Sequence, residues 1–194
     1  MEIALSIGNF DAVHRGHLAI VQGARQAVGD GKVEIWSFNP SPVCILRPDI
    51  EVERLTTFSQ RRVLLLEAGA DEVVELTPTK ALLSQSPTLF VESFMETLAP
   101  QFVVEGEGFR FGKDRAGTVE ELSKLGDSFG FSTLRVPSIE VTLRDNTNQR
   151  ASSSLVRKLI KCGRVEDAQT VLGRSVSLSG LVASGDQRGH GLGF

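Results

Sequence analysis

Cysteine is scarce in this sequence of 194 residues, which contains two, Cys44 and Cys162, far apart in the chain. They form no CxxC pair and no Cys/His cluster, so the sequence suggests neither a disulfide framework nor a zinc site. Long apolar runs are also lacking. No stretch approaches the roughly 18 apolar residues of a membrane span, and the N-terminal residues lack the basic and apolar regions of a secretion signal. We therefore expect a cytoplasmic protein that has no membrane partner.

The sequence also lacks an excess of basic residues. It contains 21 Lys and Arg against 24 Asp and Glu, a formal net charge of -3, and its pI is about 5.7. Proteins that bind nucleic acid usually present a basic face, so we expect no nucleic-acid partner. Apolar residues make up 41% of the chain and charged residues 23%. These values are typical of a soluble globular protein, and the length favours one packed domain plus a fragment.

Short apolar segments alternate with segments of helical periodicity along most of the chain. This alternation predicts an α/β fold whose parallel sheet is covered by helices on both faces. Ser59 is a candidate cap for the second helix. Beyond residue 174 the pattern changes, with a further strand predicted at 175–183 and a glycine-rich loop after it. The predicted strands are 3–7, 33–38, 72–76, 102–106 and 131–136, and the predicted helices are 17–28, 57–68, 87–98, 118–130, 152–162 and 165–172.

Histidine is rare as well, yet two of the three histidines lie within SIGNFDAVHRGH at 6–17. This stretch joins the first predicted strand to the first helix, where a helix N-terminus offers N–H groups and a positive dipole end to phosphate. His14 and His17 share one helix face if the helix begins near them, and Gly16 leaves the backbone approachable. The pattern predicts a phosphate site. Two solvated histidines, or a zinc site, are the alternatives that the spacing leaves open.

A second candidate site is RASSSLVR at 150–157. Three hydroxyls open a predicted helix here, and they could cap the helix and donate to phosphate oxygens. Arg157, one turn later, could hold a triphosphate by two hydrogen bonds. The alternative is an ordinary N-cap followed by a surface arginine.

Two further stretches follow predicted strands. EGEGFRFG at 105–112 could bring its backbone close to a base or ribose, or could be an ordinary loop with two phenylalanines in the core. FNPSP at 38–42 ends a strand at the edge of the sheet where ligands bind, or forms only a rigid turn.

Several of these stretches, in this order, resemble the bacterial bifunctional FAD synthetase family, riboflavin kinase/FMN adenylyltransferase, and specifically its N-terminal adenylyltransferase domain. The resemblance implies a Rossmann-like nucleotidyltransferase domain at 1–174, followed at 175–194 by the first strand and loop of a truncated β-barrel kinase domain. The matching stretches are GNFDAVHRGH at 8–17, FNPSP at 38–42, RLT at 54–56, EGEGFRFG at 105–112, ASSSLVR at 151–157, LGR at 172–174 and the closing SGLVASGDQRGHGLGF.

The resemblance also implies roles for individual residues, with ATP and FMN as substrates, Mg²⁺ as cofactor and no metal ligand assigned. The catalytic residues would be His14, His17, Ser153 and Arg157. The ATP-binding residues would be Gly8, Asn9, Phe10, Gly16, Gly106, Arg150, Ser152 and Ser154. The flavin-binding residues would be Phe38, Asn39, Pro40, Pro42, Leu55, Thr56 and Gly108.

The chain departs from the family pattern at three positions. Ala12 replaces a glycine, Ser154 replaces a threonine, and Gly108 stands where an Asp or Asn is usual. The expected activity is the transfer of AMP from ATP to FMN, giving FAD and pyrophosphate, without riboflavin phosphorylation. Two alternatives are a nucleotidyltransferase of the same type with another phosphate acceptor, and a flavin- or nucleotide-binding module without turnover.

Overall fold

The computed structural model describes residues 1–178 and residue 180 of the chain. The strands are β1 (Ile3–Gly8), β2 (Lys32–Phe38), β3 (Glu72–Leu76), β4 (Phe102–Gly106), β5 (Arg110–Phe111), β6 (Gly117–Thr118), β7 (Ser132–Val136), β8 (Glu140–Thr142) and β9 (Asn148–Arg150). The helices are α1 (Arg15–Val28), α2 (Pro42–Leu46), α3 (Phe58–Glu67), α4 (Lys80–Leu83), α5 (Pro87–Thr97), α6 (Val119–Phe129), α7 (Ser153–Lys161) and α8 (Val165–Leu172), with a 3₁₀ turn at Lys113–Arg115.

Five of the strands form one parallel sheet in the order β3-β2-β1-β4-β7. Successive side chains of β1 pack on opposite faces of the sheet, because side chains alternate in direction along a strand. Ala4 packs with α1 and α3 on one face, whereas Leu5 and Ile7 pack with α5 and α6 on the other. The predicted α/β fold with a parallel sheet covered on both faces is therefore confirmed.

The order in which strands are added to the sheet reverses at β1. The chain places β2 and β3 on one side of β1, and β4 and β7 on the other. β1 and β4 pair only through Ala4 with Phe102 and Leu5 with Val103, and then they separate. The buried carboxyl of Glu105 fills this gap and accepts hydrogen bonds from Ile7 N at 2.7 Å and from Ser6 Oγ at 3.3 Å. A crevice thus opens at the carboxyl ends of the strands, which is where ligands bind in open parallel sheets.

A third apolar cluster lies beside the sheet and is built from the C-terminal part of the described chain. Val141, Leu143, Val156 and Leu172 pack together in it, and Ala12, from the connection between β1 and α1, joins them. The antiparallel pair β8–β9 leads directly into α7. The C-terminal helices are therefore packed against the stretch that carries the two histidines.

The structure corrects some details of the sequence prediction. The cap of α3 is Thr57, whose side chain accepts from Gln60 N in a capping box, and not Ser59. The short helices α2 and α4 and the pairs β5–β6 and β8–β9 were not predicted. In the strand predicted at 175–183, residues 175–178 have no regular structure, and residue 179 and residues 181–194, with the glycine-rich loop, lie outside the described residues. None of the helices among the described residues combines the length and the hydropathy of a transmembrane span.

Candidate active site

Residues 9–14, termed the histidine turn below, connect β1 to α1 in a strained conformation. Phe10, Ala12 and Val13 are buried and have positive φ angles of 48°, 71° and 44°. Such angles are uncommon for residues other than glycine and are unfavourable for a β-branched valine. Each costs on the order of 1–3 kcal/mol and persists only where surrounding contacts hold it.

Asp11 provides the first set of those contacts. Its carboxylate accepts hydrogen bonds from Leu55 N at 3.2 Å and from Thr56 N and Thr56 Oγ1 at 3.0 and 2.9 Å. It also forms an ion pair with Arg157 of α7. In addition, Ser153 Oγ donates to the Asp11 carbonyl at 2.7 Å. Asp11 therefore joins the histidine turn to both the 54–56 segment and α7.

Two further arginines hold main-chain oxygens of the same turn. Arg61 of α3, buried in the interior, donates to Asn9 O at 2.5 Å and to Phe38 O at 3.1 Å. Arg174, just after α8, donates to Ala12 O at 2.5 Å and to Val13 O at 2.8 Å. The turn is thus held from the α3 side by Arg61 and from the C-terminal side by Arg157 and Arg174.

His14 is the N-cap of α1, and its Nδ1 accepts a hydrogen bond from Gly16 N at 3.2 Å. Because Nδ1 is an acceptor, the proton of the neutral imidazole is on Nε2. The His17 ring stacks on the His14 ring, with centroids 3.7 Å apart and an interplanar angle of 22°. His17 Nδ1 is buried and has no hydrogen-bond partner among the described residues. The prediction that both histidines face one site is in accord with this stacking.

Burial is the main electrostatic influence on both imidazoles. It lowers the pKa of His14 to about 4, with Arg150 and Arg174 adding to the lowering and Asp11 opposing it. The pKa of His17 is lowered well below its usual value, by burial and then by His14 and Arg61. Both rings are therefore neutral at pH 7 in the protein without ligand. They would act as hydrogen-bond donors and acceptors, and not as fixed positive charges.

A cavity of about 690 Å³, termed the histidine cavity below, opens beside the two rings. Its volume lies in the range of small-molecule sites. Among the residues proposed from the sequence, it is lined by Asn9, Phe10, His14, His17, Asn39, Thr56, Ser152, Ser153, Ser154 and Arg157. The structure therefore brings both histidines, the hydroxyls at the start of α7 and part of the FNPSP stretch into one cavity.

The hydroxyls at the start of α7 have different partners. Ser152 Oγ caps the helix by accepting from Leu155 N at 3.2 Å, and Ser153 Oγ is bonded to the histidine turn. Ser154 is exposed and lines the histidine cavity. Arg157 is engaged by Asp11 and donates from Nε to Glu53 O at 2.6 Å. A role for Arg157 in holding a triphosphate stays a prediction, and it would require the guanidinium to serve the Asp11 contact and the ligand together.

Two of the glycines proposed for ATP binding, Gly8 and Gly16, pack closely against a ring, whereas Gly106 makes an ordinary contact. A Cβ at Gly8 would lie 3.2 Å from the Phe10 ring, and one at Gly16 would lie 3.1 Å from the His14 ring. A Cβ at Gly106 would lie 3.6 Å from Ile20 Cδ1. Gly8 and Gly16 therefore let the two site-forming rings lie against the backbone.

Gly108 and Arg150 lie side by side. A Cβ at Gly108 would be 2.9 Å from Arg150 Nη2, so the guanidinium occupies the space beside this glycine. After burial, the charge of Arg150 is one of the causes that lower the pKa of His14. The absence of a side chain at position 108 thus leaves room for a cation on the histidine side of the loop.

The residues proposed for flavin binding have different surroundings, although Asn39 and Thr56 both line the histidine cavity. Phe38 packs against the apolar cluster on the α5 and α6 side of the sheet, whereas Leu55 packs against the third cluster and donates to Asp11. Thr56 Oγ1 bonds Asp11 and accepts from Ala12 N at 3.0 Å. The Asn39–Pro40 peptide bond is cis, and Pro42 begins α2. Contacts of these residues with flavin stay a prediction.

Reasoning from the sequence missed Asp11, Arg61 and Arg174 as site-forming residues. For Arg61 a signal was present, because Arg61 and the buried Leu65 are four residues apart on the same face of α3. A charged residue on a buried helix face indicates a specific partner. Asp11 and Arg174 both lie inside stretches that match the family, GNFDAVHRGH and LGR, but the match assigned a role to neither residue.

A sequence profile described as FAD synthetase matches residues 1–154. Two curated relatives are a bifunctional riboflavin kinase/FMN adenylyltransferase from Escherichia coli K12, 31% identical over 98% of this chain and 60% of its own length, and an FAD synthetase from Listeria monocytogenes, 30% identical over 95% and 74%. A crystal structure of a macrolide-efflux protein from Streptococcus pneumoniae has a TM-score of 0.86 at 25% identity, over 99% of this chain and 62% of that one.

The chain thus spans about three fifths of the E. coli relative. The profile includes β1 to β9 and reaches the first residues of α7, and the relative from L. monocytogenes matches nearly the whole chain. Together with the parallel sheet and the paired histidines at its carboxyl edge, these matches confirm the resemblance seen in the motifs. The chain belongs to the FAD synthetase family.

Proposed function

We propose that this chain transfers AMP from ATP to FMN, forming FAD and pyrophosphate. The observation that carries the proposal is the histidine cavity, where two stacked imidazoles at the start of α1 lie with the first residues of α7 around one space. The N-termini of α1 and α7 present their positive dipole ends to the same space, which favours a polyphosphate.

The proposed reaction is an in-line displacement at the α-phosphorus of ATP. An oxygen of the FMN phosphate forms a bond to this phosphorus, the bond between the phosphorus and the α–β bridging oxygen breaks, and pyrophosphate leaves with the electron pair. A phosphomonoester has its second pKa near 6 and is mostly ionised at pH 7. The attacking oxygen therefore needs no general base, and the protein contributes positioning and charge stabilisation.

The two imidazoles would stabilise the charge that develops on the α-phosphate. His14 carries its proton on Nε2 and can donate from there, since Nδ1 already accepts from Gly16 N. Burial makes both rings neutral in the free protein, and a bound phosphate would favour their protonation by its negative charge. Donors fixed by the fold in this way require little rearrangement as charge develops.

Mg²⁺ is part of the proposal as a component of the MgATP substrate. Within the described residues, no group of three or more His, Cys, Asp or Glu side chains is arranged to hold a metal ion. The proposal therefore assigns no protein ligand to the ion. Mg²⁺ commonly binds through one or two carboxylates together with substrate phosphates.

A cytoplasmic location and a division of the chain near residue 174 complete the proposal. Both cysteines are free thiols, in accord with a reducing compartment. The C-terminal helices end at Leu172 and pack against the histidine turn, which supports including them in the nucleotidyltransferase domain. Riboflavin phosphorylation is not part of the proposed activity.

The test is to incubate the purified chain with FMN, ATP and Mg²⁺ and to follow FAD by chromatography and pyrophosphate by a coupled assay. A parallel reaction contains riboflavin in place of FMN. FAD and pyrophosphate in equal amounts would support the proposal. Saturable binding of FMN or ATP without product would instead identify a binding module, and AMP transfer to another phosphate acceptor but not to FMN would identify a different nucleotidyltransferase.

A His17→Ala variant tests the assigned site. We expect its kcat per folded molecule to fall by about 100-fold or more, the usual effect of removing a hydrogen-bond donor from a developing charge. Gln26→Ala is the matched control, because Gln26 is exposed on the same helix. Full turnover by His17→Ala would contradict the assignment.

A further inference from the structure

Arg174 lies beyond the part of the chain that the family profile matches, residues 1–154, yet its side chain reaches the histidine turn. Gly173 ends α8 in a left-handed conformation with φ 77°, which turns the chain back towards α1. The two terminal nitrogens of Arg174 then donate to two consecutive carbonyls, those of Ala12 and Val13. One planar group therefore fixes two neighbouring peptide units.

These two peptide units belong to the strained part of the histidine turn. Ala12 and Val13 both have positive φ, and Val13 immediately precedes His14. Because His14 is the N-cap of α1, the orientation of the preceding peptides determines where its ring and the His17 ring stacked on it lie. A rigid planar guanidinium suits this task better than a flexible ammonium, since it presents parallel donors in a fixed geometry.

Arg174 is absent from the lining of the histidine cavity. It lines a second, mainly apolar cavity of about 680 Å³, formed with α3, α7 and residues 175–178, and it shares this cavity with Leu55 and Thr56, two of the residues expected to bind flavin. Burial lowers the pKa of its guanidinium, and the charge of Arg174 in turn helps to lower the pKa of His14. Arg174 thus acts on the two histidines from outside the histidine cavity, through its contacts with the histidine turn.

We propose that Arg174 is a positioning residue for nucleotidyl transfer, which sets the placement of the His14 and His17 rings by holding the Ala12 and Val13 carbonyls. This inference rests on the proposed function for its kinetic consequences. Its structural consequence, the placement of the two rings, does not depend on which reaction the site performs.

The test compares Arg174→Met, Arg174→Lys and the control Arg144→Met in the full chain. Arg144 is an exposed arginine that pairs with Glu166 of α8 at 3.7 Å. The control therefore removes an arginine that contacts α8, the helix preceding Arg174, but that makes no contact with the histidine turn. For each protein, kcat and KM for ATP, the melting temperature and the imidazole NMR signals of His14 and His17 are measured.

We expect Arg174→Met to lower kcat towards the roughly 100-fold loss that a displacement of about 1 Å causes, with a smaller change in KM for ATP. Arg174→Lys should recover part of kcat, and added guanidinium ion at low concentration should raise the kcat of Arg174→Met but not that of the control. The His14 and His17 signals should shift in Arg174→Met and stay unchanged in Arg144→Met.

Unchanged His14 and His17 signals in a folded Arg174→Met would overturn the inference, as would a kcat within twofold of wild type. A loss of melting temperature alone, with normal kcat for the folded fraction, would also overturn it and leave a purely structural arginine. If the wild-type chain forms no FAD, the proposed function fails, and the NMR comparison still decides whether Arg174 positions the two rings.

Discussion

The His17 imidazole stacks on the His14 imidazole with 3.7 Å between the ring centroids. Two protonated rings at this distance would repel each other, and burial already disfavours the charged form of each. The stacked arrangement is therefore one of neutral rings. Because the pKa values of both rings are lowered, the stability of the fold around them should decrease as pH falls.

The first prediction concerns this pH dependence. The pKa of His14 in the folded protein is about 4, below the ordinary value of 6.5 that applies in an unfolded chain. Between these values the unfolded chain binds a proton that the folded protein does not, so stability is full above the unfolded pKa and is lost as pH falls through this window. His14 should contribute a slope of about 1.4 kcal/mol per pH unit, and His17 has the same sign.

The His14→Asn variant isolates this contribution, because Asn can also cap a helix. We expect the free energy of unfolding of wild type, relative to the variant, to decline between about pH 6.5 and pH 4 by up to about 1.4 kcal/mol per unit. Urea unfolding across this range measures the difference, and Gln26→Ala should show no such change. A difference that is constant with pH would contradict the neutral assignment of His14.

The second prediction concerns the Asp11–Arg157 pair, which joins the histidine turn to α7. Both side chains are partly buried, so removing one leaves the other short of a partner. In a double-mutant cycle of Asp11→Asn and Arg157→Met, we expect a coupling energy of about 1–3 kcal/mol by urea unfolding. Arg144 and Glu166 form an exposed pair, and the same cycle there should give less than about 1 kcal/mol. Equal coupling energies at the two pairs would show that the Asp11–Arg157 pair stabilises the protein no more than an exposed ion pair does.

The sequence predicts the parts of this molecule that local patterns encode. The five parallel strands and the longer helices follow from hydrophobic periodicity, and the placement of two histidines at the start of α1 follows from the strand-turn-helix pattern. Thr57 and Gln60 also have the spacing of a capping box, a local signal that our prediction of Ser59 as the cap overlooked.

The support of the histidine turn is different, because it depends on contacts between distant parts of the chain. Arg61 and Asn9 are 52 residues apart, and Arg174 and Ala12 are 162 residues apart. No periodicity or capping signal relates such positions. The positive φ angles of Ala12 and Val13 could not be predicted either, because neither residue favours this conformation by itself.

The third prediction concerns Glu105 at the gap between β1 and β4. Burial raises the pKa of this carboxyl well above its usual value, against the hydrogen bonds from Ile7 N and Ser6 Oγ. The contribution of the Glu105 carboxyl to stability is therefore fully present below the pKa that it has in the unfolded chain. This contribution is lost as pH rises through the pKa that it has in the folded protein. Glu105→Gln keeps an acceptor and cannot ionise, so the variant should gain stability relative to wild type as pH rises above about 4.5, the usual Glu value.

Urea unfolding at two pH values above that point measures the gain, and Glu96→Gln, at an exposed position on α5, is the control. Glu105→Val should lose about 1–3 kcal/mol, because the buried Ile7 N–H then has no acceptor. If Glu105→Gln and wild type keep a constant difference in stability as pH rises, the carboxyl is ionised in the fold and the prediction fails.

The last prediction concerns Gly108 and Arg150. Gly108 is not among the glycines with positive φ, so alanine can adopt its backbone conformation. The Cβ of Gly108→Ala would press on Arg150 Nη2, the far end of a long exposed side chain, which can move at little cost. We expect a stability change within about 1 kcal/mol. If Arg150 contacts the phosphates of ATP, its displacement should raise KM for ATP by about threefold to tenfold, part of the contribution of a charge-assisted hydrogen bond.

The same substitution in an Arg150→Ala variant tests whether the effect of Gly108→Ala depends on Arg150. In Arg150→Ala, whose KM for ATP should itself be raised, adding Gly108→Ala should change neither kcat nor KM further, because the group that the new methyl displaces is gone. Steady-state kinetics of the two single variants and the double variant decide the matter. If Gly108→Ala raises KM equally in both backgrounds, position 108 affects ATP independently of Arg150, and the space beside this glycine serves the ligand directly.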